Sequence, residues 1–218
     1  GQDSLYGSFG DDSLSGGANG HDMVDYSSSN AGVNVKLTYG DTTTGIGGHA
    51  AGDRINGFND VSGSDFNDTL TDTVTGTISF GYNANTFFGN GGNDRLNLSG
   101  GNDKGYGGNG LDSLIGGAGK DELAGGAGND VLKGGADADI LRGEAGADDF
   151  VFSKLPDSGK TARTRDTIAD FKHLQGDDID LSGIDAKTST RGVNDAFTFI
   201  GSRAFNHTAG EVQYVDSG

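Results

Sequence analysis

Residues 89–151 read GNGGNDRLN, LSGGNDKGY, GGNGLDSLI, GGAGKDELA, GGAGNDVLK, GGADADILR and GEAGADDFV, seven blocks of nine without a gap. The sixth position is Asp every time: Asp94, Asp103, Asp112, Asp121, Asp130, Asp139 and Asp148. The eighth is Leu96, Gly105, Leu114, Leu123, Leu132, Leu141 and Phe150, apolar in six of seven. A fixed period of this kind marks a stacked-repeat architecture. Six Gly-rich residues ending in Asp make a turn, because glycine admits φ > 0 and lets backbone approach an ion closely. Three residues in polar–apolar–polar order make a very short strand with one inward side chain. Two such turns and two such strands close a coil of 18 residues. Turns one coil apart then stack on one edge, about 4.8 Å from each other.

Stacking brings the aspartates together as Asp94/Asp112, Asp103/Asp121, Asp112/Asp130, Asp121/Asp139 and Asp130/Asp148, five sites alternating between two edges of the coil. Two bare carboxylates at that spacing repel by roughly 0.8 kcal/mol in water, and by more when desolvated. A hard divalent cation reverses the sign, and carboxylates with backbone carbonyls are the donors that calcium selects. A flexible linker of this composition would carry no nine-residue register and no apolar residue fixed two places after each Asp.

These blocks resemble the nonapeptide GGxGxDxUx of RTX proteins, the haemolysin-type calcium-binding repeats; GGAGKDELA and GGAGNDVLK match it at every position. The resemblance implies an all-β chain: a right-handed parallel β-roll solenoid with short Gly-rich calcium-binding turns and a β-rich C-terminal cap. It also implies that each calcium is held by the Asp and by carbonyls of the first four turn residues. Those carbonyls are Gly107, Gly108, Asn109 and Gly110, then Gly116, Gly117, Ala118 and Gly119, then Gly125, Gly126, Ala127 and Gly128, then Gly134. About five Ca2+ ions are expected over 89–151. Some blocks depart from the pattern. Gly105 replaces the apolar residue, Leu98 and Ser99 replace Gly-Gly, and Asp137 and Glu144 replace turn glycines.

Composition narrows the class. The 218 residues hold 42 Gly, 1 Pro and no Cys, with 15 Lys+Arg against 32 Asp+Glu for a formal charge of −17. Only three acids are Glu (Glu122, Glu144, Glu211), and Asp is the shorter residue suited to turns and oxygen-rich ion sites. The acidic excess argues against nucleic acid or anionic membrane as a partner. No stretch approaches the ~20 apolar residues of a membrane helix. Without cysteine there are no disulfides, thiolate catalysis or Cys-based zinc sites. The chain begins at Gly1 with no signal-peptide pattern, and is read as a piece of a longer protein.

The organisation expected is 1–88 as degenerate repeats with longer rungs, 89–151 as the regular array, and 152–218 as a capping region. In the first part Asp3, Asp12 and Asp22 precede Leu5, Leu14 and Val24, and Val33, Val35 and Leu37 alternate as a strand. Gly52-Asp53-Arg54-Ile55 and GSDFNDTLT (63–71) restore the turn-then-strand signature. Further calcium in the flanks would sit at Asp3/Asp22 or Asp53/Asp68. TVTGTISFGY (73–82) reads as a strand pair or a side loop.

In the last part Asp149-Phe-Val-Phe152, Asp166-Thr-Ile-Ala-Asp-Phe171 and Asp178-Ile-Asp-Leu-Ser-Gly183 resemble the C-terminal cap of serralysin-type secreted proteins, as do AFTFIGSRAF (196–205) and GEVQY (210–214). A solenoid needs such a cap to close its open end. Asp178-x-Asp180-x-Ser182-Gly183 imitates the start of an EF-hand, but position twelve is Ser189 rather than Glu, so it reads as a strand with a turn.

Six buried apolar side chains are too few to offset the ordering of so glycine-rich an array, and the acidic ladders repel. The array is therefore expected to be unfolded without calcium and folded with it. No catalytic constellation is present: His21, His49, His173 and His207 lie far apart with no HExxH, and no Ser sits in GxSxG. Each His reads as an exposed loop residue. Gly105-Tyr-Gly-Gly-Asn-Gly110 is formally GxGxxG but lies within the repeat register. The chain is therefore read as a non-enzymatic calcium-folded module of a bacterial type I-secreted extracellular protein, with the secretion machinery as its partner during export. The alternative is a polysaccharide- or surface-binding module of an adhesin, lectin or alginate epimerase-like enzyme, with Tyr6, Tyr26, Tyr39, Tyr82 and Tyr106 stacking on sugars.

Overall fold

The computed structural model describes residues 2–17, 21–38, 42–73, 84–154, 157–158 and 165–184, with short strand segments at 198–199 and 211–212. Almost all regular structure is parallel strand, and two sheets run the length of the coil. Among the described residues, the first stacks Ser4–Tyr6, Met23–Asp25, Asp60–Ser62, Thr86–Gly91, Lys104–Asn109, Glu122–Ala127, Ile140–Ala145 and Thr167–Ile168 in that order. The second stacks Asn34–Leu37, Thr69–Asp72, Arg95–Asn97, Ser113–Ala118, Val131–Ala136, Asp149–Val151 and Asp178–Asp180. This is the parallel β-roll expected from the repeat. No helix among the described residues is long and apolar enough to cross a membrane.

The register follows the period. Lys104 pairs with Glu122 and Glu122 with Ile140; Arg95 pairs with Ser113 and Ser113 with Val131, each step 18 residues. The inward positions stack as Leu96, Leu114, Leu132 and Phe150 from one sheet, and Phe87, Leu123 and Leu141 from the other, all fully buried. Gly105 occurs in the second row, and buried Leu98 fills the space: a Cβ on Gly105 would lie 3.2 Å from Leu98 Cδ1 and 3.1 Å from Leu123 Cδ2.

One expectation is corrected here. Six strands, Thr86–Gly91, Lys104–Asn109, Ser113–Ala118, Glu122–Ala127, Val131–Ala136 and Ile140–Ala145, have six residues rather than three, while Arg95–Asn97 and Asp149–Val151 keep three. Lys104–Asn109 and its neighbours run through the first three turn residues, because backbone at those positions pairs with the next coil before the chain turns.

The flanks use the same two sheets with longer coils. Thr69 pairs with Arg95, Ile140 with Thr167, and Asp149 with Asp178, steps of 26, 27 and 29 residues. Asn34–Leu37 is the strand expected there, with Val35 and Leu37 buried. A side lobe pairs Ser13–Ser15 with Arg54–Asn56, and Thr43–Thr44 antiparallel to the latter. The motifs at 166–171 and 178–183 add one further coil to the two sheets, and the second ends in a turn in which Ile184 N–H donates to Leu181 O. Thr198–Phe199 pairs with Glu211–Val212. The rest of 196–205 and 210–214, and TVTGTISFGY apart from Thr73, lie outside the described residues.

Candidate metal centre

The turns of the array carry two left-handed residues each, at positions two and four. Position four is usually Gly92, Gly101, Gly110, Gly119, Gly128 or Gly146, with φ between 110° and 158°, and also Asp137 at 81°. Position two is usually Gly108, Gly117, Gly126 or Gly135, but also Asn90, Ser99 and Glu144 at φ of 75°, 63° and 71°. These reversals swing the chain so that the Asp at position six points back under its own turn.

Asp94 and Asp103 accept the N–H of Asp68 and Asn85 on Oδ1, and the other five array aspartates are all held in one way. The Oδ1 of each accepts the backbone N–H of the aspartate one coil earlier: Asp94 to Asp112 at 2.8 Å, Asp103 to Asp121 at 2.9 Å, Asp112 to Asp130 at 2.8 Å, Asp121 to Asp139 at 2.9 Å, and Asp130 to Asp148 at 3.0 Å. These are the five pairs the spacing predicts. All seven aspartates are only 1–2 % exposed. The other oxygen, Oδ2, is buried in Asp94, Asp103, Asp112, Asp121, Asp130, Asp139 and Asp148, with no hydrogen-bond partner among the described residues.

A buried carboxylate with one bare oxygen is unfavourable as an anion unless a positive partner completes it. Burial accordingly pushes the carboxyl of Asp94 up to about 7, Asp103 to about 8, Asp121 and Asp130 to about 6, and Asp139 to about 8. The N–H on Oδ1 offsets part of that rise, and facing carboxylates such as Asp121 for Asp103 add to it. Burial raises Asp112 and Asp148 as well.

The bare oxygens stand beside carbonyls. A Cβ on Gly107 would collide with both Asp112 Oδ2 and Gly125 O, and one on Gly116 with Asp121 Oδ2 and Gly134 O. Gly89 faces Asp94 Oδ2 and Gly107 O in the same way. In these three turns Oδ2 therefore looks into the gap toward the following coil, next to a position-one carbonyl. Carbonyls of positions two and four (Gly108, Gly110, Gly117 and Gly128) face the Cα of the matching glycine or Gly146 one coil on. Carbonyls of Asn109, Ala118 and Ala127 accept the N–H of Gly92, Gly101 and Gly110, which leaves each one lone pair.

Among the described residues no three His, Cys, Asp or Glu side chains converge to hold a metal. Each gap offers two carboxylates and backbone oxygens only. That all-oxygen, low-charge donor set suits a large hard cation, and calcium fits it.

The sequence reading missed a second ladder of opposite direction. Asn93 Oδ1 accepts the N–H of Leu111, Asn102 that of Lys120, and Asn129 that of Ala147, each at 2.8 to 3.0 Å and one coil later. The signal was in plain view, as the residue just before Asp in three blocks.

The flanks differ from expectation. Asp22 Oδ1 does accept the Asp3 N–H at 2.8 Å. Asp53 and Asp68 do not pair. Asp53 accepts the Asp12 N–H at 2.8 Å and the Tyr26 hydroxyl at 2.9 Å, while Asp68 N–H donates to Asp94 at 2.7 Å. Coils of unequal length separate the two. Tyr26 is fully buried under Gly7, so it offers nothing to a sugar. Tyr39 and Tyr82 lie outside the described residues. His49 is also corrected: it is buried against Phe9, ring centroids 4.2 Å apart, with neither nitrogen bonded among the described residues. His173 is exposed, His21 sits 3.9 Å from Asp60, and His207 lies outside the described residues.

The family model of the RTX calcium-binding nonapeptide repeat, in four copies, matches residues 1–25, 81–114 and 115–150. Among curated proteins, none matches the chain.

Proposed function

We infer that this chain, a calcium-binding β-roll module built on RTX nonapeptide repeats, is the part of an exported protein that folds when it meets calcium outside the cell. One observation carries this reading. Seven buried aspartates each keep one oxygen without a partner among the described residues, in gaps that a calcium ion would complete. Without the ion the ladders repel and the carboxyls must take up protons. With it, binding free energy becomes folding free energy.

Extracellular calcium sites typically work at about 10⁻⁴–10⁻³ M, far above cytosolic levels. The chain would stay extended inside a bacterial cell, pass through type I secretion machinery, and fold on arrival. On this reading the module is not itself an enzyme, and its activity belongs to the protein it is part of. The segments at 166–171 and 178–183 would serve as a serralysin-like end to the coil.

Circular dichroism tests the coupling. Little regular structure is expected in excess chelator and a cooperative β signal near millimolar calcium. Magnesium should substitute poorly, since it demands octahedral geometry and keeps its water. Equal β signal in chelator and calcium sinks the reading.

A second reading, contact with polysaccharide, is favoured by one feature. Phe88 and Tyr106 lie side by side on the outer face of the first sheet, rings 5.1 Å apart and within 10° of parallel. A flat aromatic surface stacks well on sugar rings. Retention of the calcium-loaded chain on alginate or dextran, abolished by Tyr106→Ala, would support it; no retention on either leaves the first reading alone.

A further inference from the structure

We propose that the cation ladder continues past the nonapeptides to two more sites, between Asp139 and Asp166 and between Asp148 and Asp177, and that these fasten residues 165–180 to the end of the coil. The proposal rests on the calcium reading above.

Each gap in the array has the same wall. The earlier aspartate presents its bare Oδ2, and the later one presents Oδ1, which takes the earlier residue's N–H. Both features recur beyond the array. Asp139 N–H donates to Asp166 Oδ1 at 3.0 Å, and Asp148 N–H to Asp177 Oδ1 at 3.3 Å. Asp139 and Asp148 are each 1 % exposed, and their Oδ2 atoms are buried without a partner among the described residues. Asp94, Asp112 and Asp121 turn Oδ2 toward the following coil, beside Gly107 O, Gly125 O and Gly134 O, and the Oδ2 of Asp139 and of Asp148 lies against its own position-one glycine, Gly134 and Gly143, as theirs do. Here the following coil is the one that carries Asp166 and Asp177, although they lie 27 and 29 residues on rather than 18.

Elsewhere the chain shows what a gap looks like when the protein fills it. Ser8 N–H and hydroxyl donate to Asp12 Oδ2 at 3.0 and 2.8 Å, Ser64 N–H to Asp68 Oδ2 at 2.5 Å, and Tyr26 hydroxyl to Asp53 Oδ2 at 2.9 Å. The sign of φ four residues before the aspartate separates the two kinds. Gly135 before Asp139 has φ 113° and Glu144 before Asp148 has φ 71°, which turns their N–H groups away from the carboxylate. Ser8 and Ser64 are not in the left-handed region. Ser99 decides that conformation and not residue type matters: it is also serine, its φ is 63°, and its Asp103 Oδ2 stays bare. By this criterion the ladder is filled by protein groups at Asp12, Asp53 and Asp68 and open from Asp94 onward. On one edge it closes at Asp177, whose Oδ2 takes the Lys172 N–H at 2.6 Å.

The test is calcium stoichiometry on the full chain by equilibrium dialysis, joined to amide hydrogen exchange. The double variant Asp166→Asn, Asp177→Asn keeps the Oδ1 acceptors and removes the charges. It is expected to take up two fewer ions than wild type. It should also lose exchange protection at Thr167–Ile168 and Asp178–Asp180 while keeping it at Lys104–Asn109. Asp68→Asn, in a gap already filled, should leave the count unchanged. An undiminished count, or equal protection of 165–180, overturns the two sites and leaves the array reading standing. Wild type that takes up no calcium overturns both. Where the double variant loses protection throughout the coil, the single variants decide, each expected to lose one ion.

Discussion

Asp121 and Asp139 border one gap between coils: the Asp121 N–H donates to Asp139 Oδ1 at 2.9 Å, and the Asp121 Oδ2 opens into the same gap with no partner among the described residues. The backbone thus satisfies half of each carboxylate and leaves half for a cation. Asp121 also accepts the Asp103 N–H on its Oδ1, so it borders two gaps at once. Asp121→Asn should therefore weaken two neighbouring sites. The calcium midpoint of folding should rise severalfold, because two adjoining gaps each lose one charged ligand. Asp149→Asn, on an exposed residue outside the register, should move it little. A calcium titration followed by circular dichroism compares them, and equal shifts would count against the pairing.

Protons and calcium compete for the same oxygens. In the cation-free fold, burial holds Asp103 and Asp139 up to about 8 and Asp94 to about 7, against about 3.9 for an unfolded Asp. A raised folded pKa contributes stability that is fully present below the unfolded value and is lost as pH rises through the folded one. Calcium-free chain should thus gain β signal as pH falls from about 8 toward 4. Calcium binding should release protons, and its midpoint should improve as pH rises toward 8. A calcium-free β signal that grows with pH instead would contradict the burial of these groups.

The centre of the coil was legible because its period is strict. Once Asp94 and Asp112 are 18 apart, pairing, edge and core row follow from geometry alone. The flanks were not, because their coils vary in length. Asp166 and Asp177 meet partners 27 and 29 residues earlier, and Asp53 meets Tyr26 27 residues earlier, distances no single period contains. Strand length was misjudged because glycine carries no side-chain signal, so extended Gly107 and Gly116 read as turn. The burial of Tyr26 and His49 depends on a side lobe whose pairings, Ser13 with Arg54 and Thr43 with Ile55, follow no fixed period.

Leu98 is the residue that lets Gly105 sit in a core row. Its Cδ1 would lie 3.2 Å from a Cβ at Gly105, and it is fully buried. Leu98→Ala removes that filler where the facing position has no side chain to collapse inward. The cost should fall in the upper half of the 2–5 kcal/mol range for such truncations. Chemical denaturation in saturating calcium reads it, and a loss under 1 kcal/mol would mean the row is packed by something else.

Tyr26 does in the side lobe what a cation does in the array. Its hydroxyl completes the buried Asp53 carboxylate at 2.9 Å, and the mutual effect, burial first, raises the phenol well above its ordinary range. Tyr26→Phe keeps the ring under Gly7 and strands one carboxylate oxygen. The expected loss is about 1–3 kcal/mol. It should persist at saturating calcium, since Asp53 belongs to a gap filled by protein. Full rescue by calcium would show instead that this gap admits a cation.

Asp137 occupies the fourth position of its block, where Gly110, Gly119, Gly128 and Gly146 all turn left-handed, and it does so itself at φ 81°. An L side chain there costs roughly 1–2 kcal/mol, less for Asp, whose short polar group tolerates the region. Glycine removes that strain but frees the unfolded chain, which returns about 0.5–1 kcal/mol. The carboxylate also adds to the repulsion that raises Asp121 and Asp139, so its removal relieves the cation-free ladder further. Asp137→Gly should therefore raise Tm in saturating calcium by about 1–3 °C, by the usual conversion for a chain of this size. Asp137→Ala should lower it, because alanine has neither the freedom of glycine nor the tolerance of aspartate. The reverse order of the two variants would show that charge and not backbone conformation governs this position.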